Sequence, residues 1–213
     1  EWDDAARYDR GKVLDAEQLE QREVFGRYLD VDGDGIGYRT LPGTHPEKGA
    51  FFTRGTSRDE FAAYTESPEA YERNMQRLEL KWQTIRSLVP KAEVASQGQR
   101  IGVLFYGTTA LPMPEAVDLL QGDSIALDSC RVRAFPFGAE VESFVQDHEI
   151  VFVVEQNRDA QMRTLLINEL QTDPAKLVPV LYYAGLSISA DTIYQQISDC
   201  LLYTSPSPRD LAR

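Results

Sequence analysis

From Ile101 onward the chain alternates short apolar runs with amphipathic stretches. Ile101–Tyr106 (IGVLFY) is closed by Gly107, and Glu149–Val154 (EIVFVV) is the most apolar stretch in the sequence. Such runs, too short for a helix and without polar alternation, suit strands buried on both faces. Further strands are predicted near Cys130–Phe135 and Val178–Tyr183. Helices are predicted near Pro114–Gln121, Ala139–Asp147, Ala160–Leu170 and Ala190–Ser198. This alternation predicts an α/β fold with an open, mostly parallel sheet. Ligands of such sheets gather at the carboxyl ends of the strands, so Gly107–Pro112 and Glu155–Asp159 are the loops to watch.

The first half has a different rhythm. Asp15-Ala16-Glu17-Gln18 reads as a capped helix start, and the helix is predicted to run to about Leu29. From Asp30 to about Thr65 the chain is rich in Gly, Pro, Asp and Thr without periodicity, which predicts a long ordered loop or extended arm. Ser67-Pro68 opens a second helix, with Ser as N-cap and Pro in the first helical position. Tyr71, Met75, Leu78, Trp82, Ile85 and Val89 then step by four and three residues. They form one apolar stripe, expected to pack on its own domain or on a neighbouring subunit. Pro90–Arg100 is polar and small and reads as a linker.

Charge and cysteine usage narrow the function classes. Lys+Arg 22 against Asp+Glu 34 gives a formal charge of −12, which repels phosphate backbones and argues against nucleic acid as a partner. No run of eighteen apolar residues exists, so no membrane-spanning helix is predicted. The amino terminus, Glu1-Trp2-Asp3-Asp4, lacks the basic and apolar regions of a signal peptide and does not begin with Met; the chain is expected to be a fragment of something longer. Cys130, Cys200, His45 and His148 cannot assemble a four-thiolate iron–sulfur site or a multi-cysteine zinc site. Few thiols and no secretion signal lead to the expectation of a cytoplasmic protein.

Asp30-Val31-Asp32-Gly33-Asp34-Gly35 imitates a calcium loop of the EF-hand type. Position twelve, which should be a bidentate Glu, is Leu41, and position eight is Gly37. A turn built from Asp and Gly is the first reading, and an acidic calcium-binding module using Asp30–Asp34 is the alternative. Gly33-Asp34-Gly35 also imitates the opening of the thiamine diphosphate motif, but the Asn pair that should follow is absent and the next Asn is Asn74. Thr44-His45-Pro46 and Thr53-Arg54-Gly55-Thr56-Ser57 carry more chemistry. Arg54 offers a planar fork for a carboxylate or phosphate, Gly55 permits close backbone approach, and Thr56 and Ser57 add hydroxyls. The competing reading is an arginine that pairs with a neighbouring acid to pin a loop. Glu155–Gln161, between a strand and a helix, is expected to cap that helix or line an interface. His148 is expected in a surface turn.

Several stretches together resemble the alpha subunit of 2-oxoacid:ferredoxin oxidoreductases, most closely the 2-oxoglutarate branch. They are Tyr8–Leu14 (YDRGKVL), Phe25–Ile36 (FGRYLDVDGDGI), Tyr38–Pro46 (YRTLPGTHP), Thr53–Glu60 (TRGTSRDE), Arg131–Phe137 (RVRAFPF) and Val153–Gln161 (VVEQNRDAQ). Some relatives carry His in place of Arg58 and Pro in place of Gly37. The resemblance implies a thiamine diphosphate and Mg2+ enzyme that decarboxylates a 2-oxoacid, transfers the acyl group to coenzyme A and passes electrons to ferredoxin. It implies that residues 1–90 are the trailing part of the pyrimidine-binding domain with its connecting arm, and that residues 96–199 are similar to the transketolase carboxy-terminal domain. The diphosphate and metal motif and an iron–sulfur cluster are expected on a beta-subunit partner, with no cofactor held by this chain alone. Arg54, Gly55 and Thr56 are the expected substrate or coenzyme A contacts, and no catalytic residue is assigned. A 2-oxoacid dehydrogenase or transketolase-like carboxy-terminal domain is the rival, and the Arg54–Ser57 stretch argues against it. Cys200–Asp210 (CLLYTSPSPRD) matches a translation of the transposon-end adapter used in sequencing libraries, so residues 200–213 are expected to be an adapter-derived tail.

Overall fold

The computed structural model describes residue 5 and residues 9–52 and 57–204, with side chains to residue 202. The chain divides into two compact units, Glu1–Leu88 and Val89–Arg213.

The second unit is an α/β layer structure. Its strands are β1 (Glu93–Ala95), β2 (Ile101–Tyr106), β3 (Asp128–Val132), β4 (Ile150–Glu155) and β5 (Leu177–Leu181), and they form one sheet in the order β1-β3-β2-β4-β5. All neighbours run parallel except β1, which pairs antiparallel with β3. The predicted open, mostly parallel sheet is therefore present.

Alternate residues of β2 and β4 feed two cores. On one face Val103, Phe105, Phe152 and Val154 meet Met113, Ala116 and Leu120 of α3 (Met113–Gly122) and Ile193 and Ile197 of α6 (Ala190–Thr204). On the other, Leu104, Val151 and Val153 meet Val141, Phe144 and Val145 of α4 (Ala139–Asp147) and Leu166 of α5 (Gln161–Leu170). Each fully buried Leu, Val or Phe contributes about 1.5–3 kcal/mol relative to exposure. Gly102 is required here, since a Cβ would lie 2.8 Å from Phe144 Cε1 and 3.1 Å from His148 Cγ.

The structure corrects several expectations. The segment read as a linker contains β1, whose three exposed residues carry no apolar pattern. Its pairing comes from β3, helped by Arg131 and Arg133 reaching Glu93 at 3.1 and 3.3 Å. Strand β3 starts at Asp128 and stops before Phe135. Helix α6 continues past Asp199 to Thr204, because Cys200 and Leu201 follow Ile193 and Ile197 on the face packed against the core. His148 is 4% exposed, so it is a core residue and not a surface turn residue.

The first unit is mostly irregular. Helix α1 is only Ala16–Glu20, opened by the expected Asp15/Gln18 capping box. It stops well short of Leu29: Gln21-Arg22-Glu23 offers no apolar face, and the chain turns at Gly26, where a Cβ would collide with Glu60 O at 2.8 Å.

Helix α2 (Pro68–Leu88) forms as expected, with Ser67 Oγ accepting from Ala70 N. Its apolar stripe is divided, with Leu78 and Ile85 partly buried. Tyr71, Met75 and Trp82 are about half exposed, at 50%, 41% and 52%. Polar side chains on an adjacent face reach loop atoms: Asn74 Nδ2 to Arg58 O (2.8 Å), an Arg77 guanidinium nitrogen to Gly35 O (2.8 Å) and Thr84 Oγ1 to Asp34 O (2.7 Å). Gly35, at φ +76°, lies so close that a Cβ would sit 2.4 Å from Lys81 N. Among the described residues, no helix is long and apolar enough to cross a membrane.

Candidate functional site

Two clusters of the first unit contain the motifs singled out above. In the Asp30–Asp34 loop, one carboxylate shapes the backbone: Asp30 accepts from Gly33, Asp34 and Gly35 N–H at 3.0–3.1 Å. The space a cation would take is held by the Lys12 ammonium. Its Nζ lies 2.6 Å from Asp32 Oδ2, 2.7 and 2.8 Å from the two Asp34 oxygens and 3.2 Å from Ile36 O. Partial burial disfavours the charged amine, but the bonds to Asp32 and Asp34 outweigh it and raise the Lys12 pKa. Those bonds hold both aspartates below the usual carboxylate range, with Ile36 N–H assisting at Asp34. A protein ammonium thus occupies the centre that the calcium alternative requires. No cluster of three metal-ligating side chains occurs among the described residues.

The second cluster surrounds Thr44-His45-Pro46. The His45 side chain is 7% exposed, and its Nδ1 accepts from Glu47 N (3.0 Å) and Lys48 N (2.8 Å). The ring hydrogen must then sit on Nε2, which donates to Glu20 Oε1 at 2.7 Å. Lys48 Nζ bonds the same residue, at 3.0 Å to Oε2 and 3.1 Å to the carbonyl. The bonds from His45 and then Lys48 lower the Glu20 pKa. His45 and Lys48 line a cavity of about 280 Å³ together with Thr40, Gly43 and Phe51. Arg54, Gly55 and Thr56, the expected ligand contacts, lie outside the described residues. Ser57 is described and accepts from Thr65 N.

In the second unit the strand-end loops are bound to one another. Glu155, fully buried at the end of β4, accepts from Met162 N (2.7 Å), Arg163 N (2.9 Å) and Asn157 Nδ2 (2.8 Å). A carboxylate therefore fills the α5 amino terminus, the place a phosphate takes in many doubly wound folds. Gln156 Nε2 donates to Thr108 and Thr109 hydroxyls (3.0 and 3.1 Å), and its oxygen accepts from Ile188 N (3.3 Å). Three loops are cross-linked this way, in agreement with the capping role expected for Glu155–Gln161.

A hub that the sequence did not reveal lies at the opposite, amino-terminal end of the strands. Asp128, 1% exposed, accepts from Ser96 Oγ (2.5 Å), Gln97 N (2.7 Å), Gly98 N and Gln99 N (both 3.2 Å). His148 Nε2 lies 3.2 Å from the same carboxylate, while Nδ1 lies 2.6 Å from Phe144 O. Both ring nitrogens face acceptors. Burial pushes the Asp128 pKa up, but the donors prevail and it is lowered overall. An acid opening one strand and a histidine preceding another was the only sequence trace of this pair.

No family model matches the chain, and no curated protein matches it. Solved structures do. The chain is similar to a 2-oxoglutarate:ferredoxin oxidoreductase from Magnetococcus marinus, solved with 2-oxoglutarate, coenzyme A and succinyl-CoA bound. That match has a TM-score of 0.71 at 20% identity and covers 84% of this chain and 31% of the other, so this chain spans about a third of that structure's length. Other matches are a split-gene transketolase in an inactive beta4 tetramer (TM-score 0.44, 14% identity, 53% of this chain and 41% of that one) and the alpha chain of a probable 2-oxoacid ferredoxin oxidoreductase from Thermoplasma acidophilum (TM-score 0.37, 22% identity, 53% and 97%). The fold of this chain is thus one found within a 2-oxoacid:ferredoxin oxidoreductase.

Proposed function

We propose that the chain is part of the alpha subunit of a thiamine-diphosphate-dependent 2-oxoacid:ferredoxin oxidoreductase, acting on 2-oxoglutarate and forming an acyl-CoA. The observation that carries this reading is the 0.71 TM-score over 84% of the chain, joined to the sequence stretches from Tyr8 to Gln161. In this reading residues 1–90 are the trailing part of a pyrimidine-binding domain and its arm. Residues 96–199 form a transketolase carboxy-terminal-like domain, and residues 200–213 are adapter-derived.

The Gly33-Asp34-Gly35 stretch and Cys130 do not fit a metal or cluster site. Asp34, the one acid of the Gly-Asp-Gly stretch, is bound by Lys12 and Ile36 N–H. Buried Cys130, its thiol pushed up to about 12 by burial, is unsuited to thiolate ligation. The diphosphate, metal and cluster are assigned to a beta subunit, and this chain's part is to brace the site. The second unit supplies a rigid apolar layer, and Arg54, Gly55 and Thr56 are assigned to contact the substrate carboxylate or coenzyme A.

In the complete alpha–beta complex, Arg54→Ala is expected to raise KM for the 2-oxoacid or coenzyme A, or to lower kcat, while assembly persists. Unchanged kinetics with impaired association would return Arg54 to a structural role. Reduction of a lipoyl carrier in place of ferredoxin would overturn the oxidoreductase reading itself.

A further inference from the structure

The first unit contains a cavity of about 340 Å³ lined by Arg10, Lys12, Arg27, Arg39, Arg77 and Lys81. No carboxylate among the described residues lines it. Such a gathering of cations runs against the chain as a whole, whose net charge is −12. Lys12 is neutralised by Asp32 and Asp34. The other five have no carboxylate oxygen within 4.0 Å among the described residues, whereas Arg73, Arg100, Arg131, Arg133 and Arg158 each have one.

Their hydrogen-bond partners among the described residues are neutral, and Asp30 is the acid whose charge reaches Arg77. Arg39 donates to Arg10 O (2.5 Å) and Arg77 to Gly35 O (2.8 Å), both neutral carbonyls. Arg77 Nε is buried with no hydrogen-bond partner among the described residues. Arg27 and Arg77 both stand over the Tyr28 ring, 5.4 and 5.8 Å from its centroid. Burial and then the neighbouring Arg27 lower the Arg77 pKa, and the smaller opposing pull of Asp30 does not reverse it. Gly11 and Gly37 form part of the wall, so the backbone allows close approach there.

We propose that this cavity is a binding site for a diphosphate-bearing anion. Guanidinium forks match phosphate oxygens two at a time. Five cations without an ion-pair partner among the described residues, set against the one nearby acid Asp30, still exceed the two charges of a dicarboxylate and suit the greater charge of a diphosphate. The volume falls in the range of about 300–1,000 Å³ typical of small-molecule sites. The site requires no oxidoreductase chemistry and stands whether or not the function proposed above holds.

The test is calorimetric titration of the 213-residue chain with inorganic pyrophosphate, ADP and, for comparison, succinate. One equivalent of pyrophosphate and one of ADP are expected to bind, with succinate at least roughly tenfold weaker, as loss of one charge-assisted contact would give. Lys81→Gln and Arg27→Gln, each with unchanged circular dichroism, should weaken pyrophosphate by about the same factor, and Lys91→Gln should not. Using two variants guards against one of them failing to fold. Absence of heat at millimolar pyrophosphate, equal affinity for succinate, binding of ADP without pyrophosphate, or affinity untouched in both folded variants would each overturn the proposal.

Discussion

In the amino-terminal unit the buried apolar residues are Leu14, Leu19, Ala62 and Ala70, and the rest of the described apolar core lies beyond residue 100. The first unit relies on hydrogen bonds from charged and polar groups: Lys12 with two aspartates, His45 and Lys48 with Glu20, Asp30 with three backbone N–H groups. The second relies on two apolar layers clasping a sheet, with polar networks confined to its ends. Apolar burial carries no charge to screen or protonate. Charged meshes respond to salt and pH, since screening and protonation act on them directly.

The largest effect that tests this contrast is expected in the sheet. Phe152→Ala should cost about 3–5 kcal/mol in urea unfolding, because Phe152 is wholly buried between β2, β5 and the helices of its face. A loss below 1 kcal/mol would mean that the layer is loosely packed. Asp128→Asn should cost roughly 3 kcal/mol, since it weakens a carboxylate held by five donors and strips His148 of its charged partner.

The pH dependence has a definite sign. The Asp128 pKa is lowered on folding, so its contribution is complete above the unfolded carboxylate value and is lost as pH falls through the folded value. Wild-type stability should therefore decline on acidification below about pH 4, and Asp128→Asn should flatten that part of the profile. An unchanged slope would remove Asp128 from the acid transition.

Lys12→Met should destabilise the first unit by about 1 kcal/mol at most, because the pair is partly exposed, and the loss should shrink in high salt. Hydrogen exchange at Gly33–Gly35 would report it, and unchanged exchange would show that Asp30 alone organises the loop. The smallest effect is expected at Arg100, 80% exposed despite its 2.5 Å contact to Glu149. Arg100→Ala should leave Tm unchanged within error.

Legibility in the sequence follows the same divide. Ile101–Tyr106 and Glu149–Val154 announced β2 and β4 because a strand buried on both faces must be apolar throughout. Ser67-Pro68 announced α2 because a cap and a fixed φ act locally. Strand β1 was illegible, since three exposed residues carry no pattern and exist as a strand only beside β3. The α2 stripe predicted the helix, but not the bonds of Asn74, Arg77 and Thr84, which find their acceptors at Arg58, Gly35 and Asp34 only once those loops are folded.

The sequence by itself determined the layered α/β unit, the α2 cap and the Asp15/Gln18 box, all of which follow from periodicity or from groups a few residues apart. Only the tertiary structure decided that Lys12 fills the aspartate loop twenty residues away, that Asp128 and His148 meet at the amino-terminal end of the sheet, and that six cations surround one cavity. Apolar burial is written into each segment as composition. The pairing of charges depends on distances between segments, and those do not exist until the chain has folded.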